Sequence, residues 1–209
     1  MTINILIIGA ICAVAVLIVL GFPGRGKGKM LSQYGVLEKR FRFKRHAFAS
    51  KWGSGIGERY SLSGEYRGYP IAIYDHFRGR SRKKRIWTSL TMEATFAGER
   101  EFLIESPLIE DEARFNGGAK DLILCGEAGP FRIRCSDDNS DAGLAGALGT
   151  ERLAAFEGPG AFRLSKGFFE YREKGRLVDE SMRLRFQEAL LILAEMADRV
   201  SEYNGSLES

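Results

Sequence analysis

The chain has 209 residues, with 31 Lys and Arg against 27 Asp and Glu, three cysteines and two histidines. That length suits one domain able to bury a core without disulfides or metals, and an odd, sparse set of cysteines excludes an oxidised framework. The net charge of +4 conceals a split: residues 22–86 hold 17 Lys and Arg against 4 acids, a net of +13, and residues 87–209 carry −9.

Residues 4–22 read as a transmembrane anchor. Ile5 to Phe22 is eighteen residues without a charge, twelve of them Ile, Leu, Val or Phe. A helix of that length spans roughly 27 Å, against ~30 Å for the hydrocarbon core of a bilayer. A cleaved signal peptide would begin with basic residues and end on a small-residue site. Here Met1 to Asn4 carry no Lys or Arg, and Gly21-Phe22-Pro23-Gly24 closes the run. Arg25, Lys27 and Lys29 follow the apolar run and no basic residue precedes it. The positive-inside rule then puts the N-terminus outside and the main domain in the cytoplasm, as in a single-pass protein of the inner membrane.

Residues 23–33 read as a flexible basic connector, because Pro23 stops a helix and the following glycines oppose a new one. A single α+β domain is expected over 34–203, with 204–209 as a tail. Within it, Leu31 to Phe48 suits a helix, or a helix followed by a strand. Leu37, Phe41, Phe48 and Trp52 could share a face, with Lys39, Arg40, Arg42, Lys44 and Arg45 around the rest. Such a helix either lies in a lipid interface or docks on its own domain with a solvated basic face.

Arg59 to Gly68 and Tyr69 to Phe77 alternate about Arg67-Gly68, which predicts a hairpin. Ile86 to Ala97 is a third strand, rich in β-branched and aromatic residues. Between them, six of the eight residues from Arg78 to Arg85 are Lys or Arg. This loop suits anionic head groups or a solvated hairpin tip. Nucleic acid is disfavoured, since no aromatic stands between Phe77 and Trp87 to stack on a base. Arg25, Lys27, Lys29, Arg78, Arg80, Arg82, Lys83, Lys84 and Arg85 are therefore the candidate contacts for anionic lipid, each contributing about 1 kcal/mol near a charged leaflet.

Phe102 to Ile109, with Pro107 inside, reads as an edge strand or connection. Short strands are expected at Asp121 to Cys125 and Phe131 to Cys135, a helix near 141–156 and a hairpin over Ala161 to Glu173. Asp179 should cap a final helix from Glu180 to Tyr203, whose Met182, Phe186, Leu190, Leu193, Ala197 and Val200 recur at helical spacing. The sum is an antiparallel sheet of six to eight strands packed against two helices, the longer one C-terminal.

Motifs for chemistry are sparse. No G-x-S-x-G elbow or phosphate loop occurs, and Cys125 and Cys135 lie ten apart without a C-x-x-C pair. Gly53, Gly55 and Gly57 lack the preceding strand of a dinucleotide site. Asp75 and His76 are adjacent on a strand, so they point to opposite faces. Asp137, Asp138 and Asp141 fit helix capping rather than a calcium loop. No catalytic, metal or cofactor residue is assigned and no cofactor is expected.

The stretch Gly64-Glu65-Tyr66-Arg67-Gly68-Tyr69-Pro70-Ile71 running into Ile73 to His76, and Phe131-Arg132-Ile133 running into Ser136-Asp137-Asp138, resemble a broad group of uncharacterised bacterial single-pass membrane-anchored proteins. The resemblance implies an α+β cytoplasmic domain and brings no catalytic motif. The expected function is a non-enzymatic interaction or regulatory module at the inner membrane face, in contact with the bilayer and with an unidentified protein partner. The alternatives are a domain binding a small ligand or lipid between sheet and helices, and an enzyme with an unrecognised site.

Overall fold

A computed structural model describes residues 26–49, 58–78, 85–94, 101–106, 122–136 and 142–207. They form an α+β fold built on a nine-stranded sheet. The strands are β1 (Lys44–Ala49), β2 (Glu58–Tyr66), β3 (Tyr69–Arg78), β4 (Arg85–Glu93), β5 (Glu101–Glu105), β6 (Ile123–Ala128), β7 (Phe131–Cys135), β8 (Ala161–Ser165) and β9 (Phe168–Lys174). Their order is β1-β2-β3-β4-β9-β8-β5-β7-β6, and every neighbouring pair is antiparallel. The late hairpin β8–β9 thus fills the centre of the sheet, between β4 and β5.

Four helices accompany the sheet among the described residues: α1 over residues 26–41, α2 (Ala142–Leu148), α3 (Glu151–Ala154) and α4 (Glu180–Leu207). Their apolar side chains join one core with alternate residues of the strands, including Leu62, Ile73, Leu90, Phe102, Ile133, Phe162 and Tyr171. The whole expected stripe of α4 is buried. Each such Leu or Phe contributes about 1.5–3 kcal/mol when removed from water, which explains why a 28-residue helix is held along its length. Asp179 caps it, accepting from Met182 N at 2.8 Å and from the Ser181 hydroxyl at 2.7 Å.

Several expectations change. Part of the stretch read as a connector, residues 26–33, is helical. Glycine costs a helix about 1 kcal/mol relative to Ala, but burial of Met30, Tyr34 and Leu37 at helical spacing outweighs it. Leu31 to Phe48 is a helix followed by a strand, with Arg42 at φ 59° where the chain leaves α1. Leu37 is buried and Phe41 half-buried against the domain itself. β5 lies inside the sheet, not at its edge, because Pro107 falls beyond the strand's last residue. The helix near 141–156 is two short ones, broken at Gly149 and recapped by Thr150, whose hydroxyl accepts from Leu153 N at 3.0 Å. The sheet has nine strands because Lys44–Ala49 adds an edge and the later hairpins all join one sheet. The anchor at 4–22, Trp52, the Gly53–Gly57 glycines and the 137–141 aspartates lie outside the described residues. Among those described, no helix is long and apolar enough to cross a membrane.

Candidate functional site

The strand registers bring distant basic residues to one end of the sheet. β3 and β4 pair out to their last rung, Arg78 opposite Arg85. β9 ends beside the start of β4, with Lys174 opposite Trp87 and Gly175 N donating to Ile86 O at 2.9 Å. Ser61 of β2 pairs with Tyr74, so Tyr60 stands level with Asp75 at this end. The first described turn of α1 reaches the same level, where Lys27 Nζ lies 5.3 Å from the centre of the Tyr60 ring. Lys27, Lys29, Arg85 and Arg176 are all exposed there. No local sequence run contains this set; it is assembled by antiparallel pairing and by the docking of α1.

Of the lipid candidates, Lys27, Lys29 and Arg85 are exposed at this end, and the Arg78 backbone forms the terminal rung. Arg25, Arg80, Arg82, Lys83 and Lys84 lie outside the described residues. Lys174 and Arg176 were missed. Their signal was weak, a Lys-Gly-Arg run at the end of a strand, and only the β4–β9 register aligns it with the basic hairpin.

Behind the rim runs a polar seam. The Thr88 hydroxyl lies 2.8 Å from both Asp75 Oδ1 and Gly175 O, and Arg176 Nε is 3.6 Å from Asp75 Oδ2. The buried Tyr34 hydroxyl has no hydrogen-bond partner among the described residues. Burial pushes this phenol far above its ordinary range, and the charge of Asp75 adds to the shift. His76 faces away from Asp75, with Nδ1 at 3.5 Å from the Ser89 hydroxyl on the other face. The Asp-His pair therefore acts on nothing in common.

Deeper in the core, Glu173 Oε2 accepts from the Tyr171 hydroxyl at 2.8 Å and from Arg185 Nε at 2.9 Å, and its second oxygen pairs with the other end of the guanidinium. Glu173 is buried and its oxygens are occupied, so the cluster ties β9 to α4 and offers no open position to a substrate.

Two of the grooves among the described residues are open to solvent. One, of about 440 Å³, is lined by Tyr74, Thr91, Arg163, Lys166, Phe168 and Glu170. The other, of about 650 Å³, lies between α3 and α4, where Arg152 reaches Glu188 at 2.8 Å and Glu195 at 3.6 Å. Both walls are charged, in contrast to the predominantly apolar lining of a typical small-molecule pocket. Among the described residues no three His, Cys, Asp or Glu side chains group closely enough to hold a metal ion.

No family model matches the chain, and no curated protein matches its sequence. A solved structure does match its fold. The chain is similar to the mycobacterial trehalose monomycolate transport factor A, TtfA, with a TM-score of 0.52 over 85% of this chain and 95% of that one, at 13% identity. At this identity the likeness is one of fold.

Proposed function

We propose that this chain is a non-enzymatic, membrane-tethered module with a lipid-related role, its basic end apposed to an anionic leaflet. The observation that carries the reading is the convergence of Lys27, Lys29, Arg85 and Arg176 with the terminal Arg78–Arg85 rung. The described part of α1 begins at that end, and the apolar run 5–22 precedes it in sequence. Each Lys or Arg near an anionic surface contributes about 1 kcal/mol, so a cluster of this size supplies several. The fold neighbour is named for the transport of a glycolipid, which favours a lipid-related role over a nucleic-acid one.

The test places the full-length chain in nanodiscs of phosphatidylcholine, with and without phosphatidylglycerol. Hydrogen exchange is then followed at residues 26–30 and 78–86. Slower exchange with the anionic lipid is expected. It should be lost in 0.5 M salt, roughly the range where charges are screened within a few ångströms, and lost when Arg80, Arg82, Lys83, Lys84 and Arg85 become Ser. Identical exchange in both discs would overturn the reading.

A further inference from the structure

Large apolar side chains exposed on a domain surface carry information when they sit beside a feature that could receive them. Among the described residues, Phe77 is 46% exposed and lies at the basic end. Its cross-strand partner is Ile86, itself only half-buried. Directly opposed residues of an antiparallel pair share a face with Cβ atoms about 5 Å apart, so the two side chains make one apolar step. The next rung outward is Arg78 opposite Arg85.

Strand alternation puts Phe77 on the same face as Ile73 and Asp75, the face that receives α1. Lys27 overlies Tyr60, level with Asp75, so the first described turn of α1 lies at this end. The same end carries exposed Lys27, Lys29 and Arg176, with Arg85 one rung further out on the opposite face. An aromatic and an aliphatic side chain at an end rich in cations is the composition that seats in the boundary between head groups and acyl chains. The cations draw the end toward anionic head groups, and the ring and the isoleucine leave water below them.

We infer that the Phe77–Ile86 rung is an apolar wedge inserted into an anionic bilayer, so that this end of the domain enters the lipid rather than resting on its surface. The inference rests on the membrane-apposed reading above. Charge complementarity favours a bilayer as the occupant.

The experiment uses full-length Phe77→Trp in phosphatidylcholine–phosphatidylglycerol nanodiscs, with and without acyl-chain bromination. The wild type supplies the background from Trp52 and Trp87. Ile86→Trp is run in parallel, in case the first variant does not fold. The added indole emission is expected to fall at least twofold with brominated lipid. Hydrogen exchange at residues 26–30 and 85–86 is followed on the same samples. Protection by anionic lipid with no quenching would overturn the wedge and leave head-group contact standing. Neither protection nor quenching would overturn both.

Discussion

The two ends of the sheet use the same residue types for different work. At the far end, Arg67-Gly68 and Lys166-Gly167 close two hairpins with both central residues at positive φ, the mirror-image turn that matches strand twist. Arg67 then reaches α4, with Nη1 at 3.0 Å from Asp198 Oδ2, while the Tyr69 hydroxyl donates to Asp198 Oδ1 at 2.9 Å. At the near end, the exposed Lys27, Lys29, Arg85 and Arg176 come from three separate parts of the chain. Residues 22–86 supply 17 cations and 4 carboxylates, so that stretch cannot neutralise itself however it folds. Charge counts alone do not separate a basic residue that closes a turn and reaches across to α4 from one held at the near end of the sheet.

If both ends belong to one cooperative sheet, a large loss in the core between them should release them together. The Phe162 ring lies between the ends, 4.8 Å from Tyr171, 5.4 Å from Phe156 and 6.2 Å from Phe131, centre to centre. Phe162→Ala removes a fully buried ring and should cost about 3–5 kcal/mol. Urea unfolding monitored by hydrogen exchange should show amides at the Arg67 turn and at the Arg85 strand losing protection in one transition. Separate transitions would mean that the ends are independent units.

Local signals made much of the fold legible. The β2–β3 hairpin was marked by period-two alternation about Arg67-Gly68, and α4 by its apolar stripe and the Asp179 cap. What stayed hidden was decided by tertiary pairing. Nothing local to Phe168–Lys174 says that it pairs with β4 instead of closing a separate hairpin, so Lys174 and Arg176 could not be assigned to the basic end. Gly26 and Gly28 spoke against a helix that packing of Met30 and Tyr34 nevertheless forms. Phe77 read as the last residue of a strand; its significance comes from exposure beside α1, which periodicity does not report.

Breaking the far end should have a moderate effect. Asp198→Ala removes a partly exposed ion pair and the acceptor of Tyr69, worth about 1 kcal/mol together. Burial, helped by the Asp198 hydrogen bond and charge, pushes the Tyr69 phenol up to about 12. A phenol whose folded value is raised stabilises the fold fully below its unfolded value of about 10, and this contribution is lost as pH rises through the folded value. In the variant, absorbance titration should show this tyrosine ionising at lower pH, since the Asp198 hydrogen bond and charge are gone and the Arg67 charge remains. An unchanged titration would show that Asp198 does not govern Tyr69.

The smallest effect on stability is expected at the near end, where it is the most diagnostic. Lys29 and Arg85 are exposed, and surface substitutions of this kind usually change stability by less than about 0.5 kcal/mol. The double change Lys29→Ser with Arg85→Ser should therefore leave the urea midpoint nearly unmoved. At about 1 kcal/mol per charge near an anionic leaflet, it should weaken the preference for phosphatidylglycerol roughly thirtyfold. Arg67→Ser at the far end is the matched control: it removes a cation that is paired to Asp198 and distant from the rim, so it should lower stability slightly and leave the lipid preference intact. If Arg67→Ser weakened that preference about fivefold, the share of one charge in the effect of the rim pair, attraction would follow net charge alone, and the distinction between the two ends would fail.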